Sequence, residues 1–245
     1  MEIADTPEQQ TARTKLKQTY VVTILMLLFG QVQVVAIMEI ESLKRFLTKH
    51  YYVSLMNFFV SFISIQLYVF FYSMLERKSK WIRLFVGIWT YEVNTISIMK
   101  PAKTAPFISL VVSWALTFVV MAISFIYGNC AVAHQRGLFV VSRHNVIRWS
   151  ERMYVLTCFG IIVCAEMKHI SIEFPALFIY TVMSNIFVIV FAASIRKPKF
   201  YQSEDIADHI LIGQLYYLNI FALYMSYVWT TAAGIDLIKT HLSFR

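Results

Sequence analysis

The stretch Asp208-His-Ile-Leu-Ile-Gly-Gln-Leu-Tyr-Tyr-Leu-Asn-Ile-Phe-Ala-Leu-Tyr-Met225 decides the fold class of this chain. It lies in an apolar segment long enough to cross a bilayer, the last of about seven such segments along the sequence. Hydrophobic residues make up 58% of the chain and charged residues 15%. A typical soluble domain carries about 25% charged residues. The composition therefore predicts an all-α integral membrane protein.

Apolar runs bounded by charged residues give the candidate membrane segments, since about 20 apolar residues cross a hydrocarbon core of about 30 Å. The fifth of these runs, from Met153 to Ala165, is too short to cross unaided, so it is expected to be re-entrant or to pack against protein rather than lipid. We therefore predict seven transmembrane helices, or six if the fifth run does not cross, in one domain over 20–245 after an N-terminal segment 1–19. The seven runs extend approximately from Tyr20 to Ile37, Tyr52 to Met74, Trp81 to Met99, Ala105 to Tyr127, Met153 to Ala165, Glu173 to Ser194 and His209 to Ile238.

The distribution of Lys and Arg predicts the orientation, because cytoplasmic loops are enriched in these residues. With seven spans, thirteen Lys and Arg residues fall on the side of the N-terminus and eight on the other side. The N-terminus is therefore expected in the cytosol. With six spans the same tally results, so charge bias does not choose between the two counts. The net charge of +8 follows from this bias, and we expect no nucleic-acid partner.

Few ionisable residues lie inside the apolar segments, and such residues are functional candidates by default. Glu92 lies in the middle of the third segment. A carboxylate at the bilayer centre costs at least about 2.5 kcal/mol, so Glu92 is expected either to bind a neighbouring helix as a neutral acid or to line an ion or proton pathway. Asp208 and His209 open the last segment, where an interfacial position is the simpler interpretation.

Sequence motifs of enzymes and cofactor sites are absent. The chain contains no Gly-rich phosphate loop, no paired-histidine helix motif and no Gly-x-Ser-x-Gly elbow. Its three cysteines, Cys130, Cys158 and Cys164, form neither a disulfide framework nor a zinc signature. We therefore expect no enzymatic activity, no cofactor and no metal site.

Several stretches resemble the Bax-inhibitor/lifeguard family of membrane proteins. Tyr216-Tyr-Leu-Asn-Ile-Phe-Ala222 is similar to the Leu-Tyr-Leu-Asp-Ile-Ile-Asn-type motif of the family's final helix. Glu76-Arg-Lys-Ser-Lys-Trp81 is similar to its basic loop between helices two and three, and Gly87-Ile-Trp-Thr90 to part of its third helix. These stretches follow the family's order over most of the chain. The resemblance implies a Bax-inhibitor-like helical bundle.

The chain departs from the family at two positions that carry its activity. Family members hold one aspartate at the end of helix six and one in helix seven, and this pair gates a calcium leak in a pH-dependent way. The helix-seven position falls on Asn219, and the helix-six position falls on Ala192, Ala193 or Ser194. An amide and a methyl group cannot share a proton as two carboxylates can. The resemblance therefore implies an inherited fold in which ion conduction is altered or lost.

The resemblance implies a protein of the endoplasmic reticulum or another endomembrane that modulates cell death or intracellular calcium. The expected partners are the lipid bilayer, calcium ions and other membrane proteins. Two alternatives are a membrane scaffold that transports nothing and a receptor for a small ligand. The candidate residues for an ion pathway are Glu92, Asn219, Ala192, Asp208 and His209.

Overall fold

The fold is known from a computed structural model that describes residues 7–90, 92, 107–134, 141–150, 152–153, 156, 170–197, 200–201 and 209–243. Within these ranges the regular secondary structure is helical, and no strand occurs. The helices are α1 (Pro7–Glu39), α2 (Glu41–Lys49), α3 (Tyr51–Phe70), α4 (Tyr72–Glu76), α5 (80–90), α6 (Phe107–His134), α7 (143–150), α8 (Ile170–Ser194) and α9 (His209–Ser243).

The longer helices coincide closely with apolar runs of the sequence, whereas α2 and α7 lie outside the predicted runs. Two of the longer helices also differ from their runs. Helix α1 begins at Pro7, well before the apolar run, because Lys, Gln, Arg and Leu between them are good helix formers even where they are polar. The predicted boundary at residue 19 thus falls inside a helix. The second run is interrupted at Phe71, which separates α3 from α4 although the backbone N–H of Leu75 still donates to the Phe71 carbonyl at 2.9 Å.

Helix α9 is the centre of the bundle. In the most apolar 18-residue stretch of α9, 94% of the residues are buried inside the bundle. The corresponding stretches of α8 and α6 are 50% and 33% buried. Every residue from Ile210 to Ser226 is buried. A helix that is apolar on all sides needs protein or lipid around its whole circumference, and here α1, α6 and α8 pack against it.

The outer surface of the bundle is apolar. Large side chains of α1, α6 and α8 such as Leu25, Phe118 and Ile179 are more than half exposed. The inner face of α6 carries small hydroxyl residues instead, namely Ser109, Ser113, Thr117 and Ser124. Small residues at helix contacts and apolar residues outside are typical of proteins in lipid. Among the described residues, three helices are long and apolar enough to cross a membrane, over Ile108–Cys130, Phe174–Ser194 and His209–Ile235.

Helices α6 and α8 run in the same direction, and α9 runs opposite to both. On α8, Phe191 stacks on Tyr216 at a centroid distance of 4.9 Å, whereas Thr181 donates to the carbonyl oxygen of Ser226 at 3.3 Å. On α6, Ser113 lies 3.4 Å from the hydroxyl of Thr231, far along α9. The chain must therefore return from one end of the bundle to the other between α6 and α8.

Helix α7 begins this return. The backbone N–H of Val141, two residues before α7, donates to the Ser194 hydroxyl at the end of α8, at 3.1 Å. Val146, Ser150 and Met153 are buried at helical spacing, so one face of this segment enters the bundle. The chain is therefore helical ahead of Met153, where the fifth apolar run begins. Most of 154–169 lies outside the described residues.

Candidate functional site

The polar side chains buried along α9 are the candidate site. Its fully enclosed part contains Gln214, Asn219 and Ser226, and all three are at most 6% exposed. The sequence His209–Ile235 contains no Asp or Glu. The interior of the bundle therefore presents amides and hydroxyls along this helix, which donate and accept hydrogen bonds without carrying charge.

Gln214 joins three helices. Its Oε1 accepts a hydrogen bond from the Tyr68 hydroxyl of α3 at 3.0 Å, and the same hydroxyl lies 3.3 Å from the Leu211 carbonyl oxygen. On the other side, α5 presents Gly87, where a Cβ atom would fall 1.7 Å from Gln214 Nε2. Only glycine leaves room for the amide at this contact. This requirement explains the glycine of the Gly87-Ile-Trp-Thr90 stretch.

Asn219 contacts α7 through its side chain. Its Nδ2 donates to the Ser150 hydroxyl at 3.1 Å and to the Leu215 carbonyl oxygen of its own helix at 2.7 Å. The stacking of Phe191 on Tyr216 sets the register of α8 against α9, which puts Ala192 near the level of Leu215. Ala192 is completely buried but lies about one helical turn from Asn219 along the axis.

Glu92 pairs with the first helix. Gln33 Nε2 of α1 donates a hydrogen bond to Glu92 Oε2 at 2.7 Å, and Glu92 is half-buried. This hydrogen bond satisfies one carboxyl oxygen and links Glu92 to a neighbouring helix. The hydrogen bonds of Glu92 and of Asn219 connect different pairs of helices.

The half of α9 beyond Asn219 is tied to its neighbours by hydroxyl pairs. Thr181 of α8 lies 2.8 Å from the Thr230 hydroxyl, and Tyr227 donates to Asn185 Oδ1 at 2.6 Å. Hydrogen bonds between helices of this kind contribute about 0.6 kcal/mol each in a membrane protein. Several together fix the rotation of α9 within the bundle.

The end of the bundle where α9 begins carries a buried ion pair and a buried tyrosine hydroxyl. Glu76 after α3 forms an ion pair with Arg143 of α7, and both side chains are mostly buried. Tyr201, in the connection between α8 and α9, lies 3.4 Å from the Thr19 hydroxyl of α1. Burial raises the pKa of the Tyr201 hydroxyl above its ordinary value, so this contact stays uncharged at neutral pH.

The remaining sequence candidates are placed as follows. His209 is the first residue of α9 and is half-buried. Asp208 lies outside the described residues. Within the described ranges, no group of three or more His, Cys, Asp or Glu side chains could hold a metal ion. The structure thus brings Glu92 together with Gln33 and Asn219 together with Ser150, while the proposed role of each in an ion pathway stays a prediction.

Two further polar positions were not singled out from the sequence. Gln214 is a neutral amide in an apolar run, and such a residue is itself a signal because a buried amide needs partners. Arg196 contributes to the sequence prediction only as one of the thirteen Lys and Arg residues on the side of the N-terminus, yet it is 9% exposed. Counting charges in loops indicates orientation and contains no information about burial.

Comparison with known proteins identifies no relative of this chain. No protein-family model matches it, and no curated protein or solved structure shows significant similarity. Function must therefore be argued from the site itself.

Proposed function

We propose that this chain is a divergent lifeguard-type membrane protein that modulates intracellular calcium or cell death without an acid pair to sense pH. The observation that carries the proposal is the environment of Asn219. Its amide occupies a buried position on the central helix and is held by Ser150, in the stretch that resembles the family's final helix. The Asn219 amide donates both hydrogen bonds of its side chain, which an ionised carboxylate could not do, and it has no proton to exchange near neutral pH.

The proposed membrane topology has seven crossings, a cytosolic N-terminus and an endomembrane location. The parallel direction of α6 and α8 supports seven, because an odd number of crossings must separate two parallel spans. The 35 residues between His134 and Ile170 include α7, and about 20 helical residues suffice for one crossing. The charge tally supports the cytosolic N-terminus.

Tags at the two chain ends test this topology. In sealed microsomes, protease should remove an N-terminal tag and leave a C-terminal tag intact. Removal of both tags would mean six crossings, and protection of the N-terminal tag would reverse the orientation.

Calcium flux into dye-loaded liposomes tests the proposed activity. A lifeguard-type leak should give a flux above that of protein-free liposomes, and the flux should depend on the amount of folded protein. Absence of flux from correctly folded protein would refute a calcium leak.

A membrane scaffold that transports nothing is the second candidate. It is favoured by the direct hydrogen bonds that connect α9 to its neighbours, such as Thr181 with Thr230 and Tyr227 with Asn185. Side chains that bind each other directly leave less polar surface for an ion. A scaffold would show no flux and would retain a specific membrane partner after mild detergent extraction, whereas a leak requires no partner in liposomes.

A further inference from the structure

Arg196, just after α8, is a buried cation whose partners among the described residues are all neutral. Its Nε donates a hydrogen bond to the Tyr20 hydroxyl of α1 at 3.1 Å, and its Nη1 donates to Asn129 Oδ1 of α6. Its Cζ lies 4.2 Å from the centre of the Phe125 ring and 5.6 Å from that of Tyr20. In the described part of the chain, no carboxylate lies within ion-pair distance of this guanidinium.

The site around Arg196 is built into the fold. Gly128 of α6 lies so close that a Cβ atom there would fall 2.7 Å from Arg196 Cδ. The aromatic rings of Tyr20 and Phe125 pack edge to face with centroids 6.1 Å apart. Three helix segments thus hold the guanidinium in one position, although a buried charge without a counter-ion is costly. Such a position is expected to have a ligand that supplies the missing negative charge.

The depth of the site indicates the source of that charge. Arg196 lies two residues beyond the span Phe174–Ser194, and Asn129 lies at the end of the span Ile108–Cys130. Both are therefore at the level of the lipid headgroups, where aromatic residues such as Tyr20 are also enriched. Lys197 follows directly and is exposed, which adds positive charge to the same surface.

The guanidinium retains hydrogen-bonding capacity for a ligand. Nε and Nη1 of Arg196 each have an acceptor. No acceptor for Nη2 is found among the described residues, and Nη2 is not buried, so a ligand can reach it. A phosphate oxygen is the acceptor that an arginine fork binds best. Basic pockets between transmembrane helices bind anionic headgroups in the same way.

We propose that Arg196 anchors a binding site for the phosphate group of an anionic phospholipid, between Tyr20 of α1 and the C-terminal ends of α6 and α8. The phosphate oxygen accepts from Nη2, and Lys197 adds a second positive charge. Phosphatidylcholine should bind less well because its trimethylammonium group brings a positive charge towards Lys197. The site is independent of any ion conduction by the protein.

Native mass spectrometry of the full chain in detergent tests the proposal with dioctanoyl phosphatidic acid and dioctanoyl phosphatidylcholine as probes. The natural chain should prefer phosphatidic acid by at least about tenfold, because both lipids offer a phosphate oxygen but only phosphatidic acid brings a net negative charge to offset the buried guanidinium. Arg196→Gln should lose this preference. Arg77→Gln should retain it, because Arg77 is an exposed arginine in another basic loop. An unchanged preference in Arg196→Gln, or none in the natural chain, would overturn the proposal.

A second variant and a competition experiment complete the test. If Arg196→Gln does not fold, Arg196→Lys keeps the charge but removes the planar fork, and it should bind phosphatidic acid more weakly than the natural chain. Equal binding by a folded Arg196→Lys variant would contradict the proposed geometry. Inorganic phosphate should not displace the lipid at millimolar concentration, whereas full displacement would assign the site to soluble phosphate esters and refute the lipid.

Discussion

Replacing Gly213 by alanine tests the packing of α1 on α9. A Cβ atom at Gly213 would fall 2.9 Å from both Cβ and Cγ1 of Val22 and 3.0 Å from the carbonyl oxygen of Thr19. Carbon atoms pack favourably at about 3.5–4.0 Å, so the two helices would have to separate by roughly 0.5–1 Å. The backbone of α1 is one of the obstacles, and a change of side-chain rotamer cannot relieve the clash. The hydrogen bond from the Thr23 hydroxyl to the Gly213 carbonyl oxygen, 2.9 Å long, would lengthen as well.

The magnitude follows from three contributions. Overpacking costs about 1–3 kcal/mol. The weakened hydrogen bond costs about 0.5–1.5 kcal/mol. Alanine in place of glycine inside a helix raises the free energy of unfolding by about 1 kcal/mol. Gly213→Ala should therefore lower the free energy of unfolding by roughly 1–3 kcal/mol.

Gly234→Ala is the matched control in the same helix. A Cβ atom there would lie 3.4 Å from Phe174 Cε2, an ordinary contact distance. This variant should gain up to about 1 kcal/mol from helix propensity alone. Both free energies can be measured by unfolding the purified protein in mixed detergent micelles with increasing SDS. If Gly213→Ala proves as stable as Gly234→Ala, the close contact between α1 and α9 does not exist.

Two further substitutions test polar contacts. Gln33→Ala removes the donor to Glu92 and should lower the free energy of unfolding by about 1–3 kcal/mol. Glu92→Gln keeps a side chain that can accept this hydrogen bond and should cost about 1 kcal/mol. Equal losses for the two variants in SDS unfolding would argue against the hydrogen bond between Gln33 and Glu92. Ser150→Ala leaves the Asn219 amide short of an acceptor and should cost about 1–3 kcal/mol. The control Ser73→Ala, at an exposed helical position, should be within about 0.5 kcal/mol of the natural chain. A stable Ser150→Ala variant would remove the support for α7 beside α9.

The helices could be predicted from the sequence because lipid requires long apolar runs. The run from His209 begins at the first residue of α9, and the run from Tyr52 begins one residue inside α3. The helix ahead of the fifth run was harder to predict, because α7 buries Val146 and Ser150 but exposes Arg148. Hydropathy averages over all sides of a helix and therefore misses a segment with only one buried face.

The partners of the polar residues could not be predicted. Gln33 and Glu92 are separated by 59 residues, and Ser150 and Asn219 by 69. Their contact depends on the rotation of each helix about its axis, which small differences in packing decide. The neutral surroundings of Arg196 depend in the same way on where Tyr20 and Asn129 lie.

The pH dependence of calcium flux tests the proposed function most directly. Dye-loaded liposomes containing the protein should show a flux that is nearly constant, or absent, from about pH 6 to about pH 8, because Asn219 and Ala192 cannot share a proton. The double substitution Ala192→Asp with Asn219→Asp serves as the comparison, and it should introduce pH sensitivity if the two acids interact across the turn that separates them. A flux through the natural chain that changes steeply over this range would contradict the account, since another group, with Glu92 and His209 the first candidates, would then sense pH.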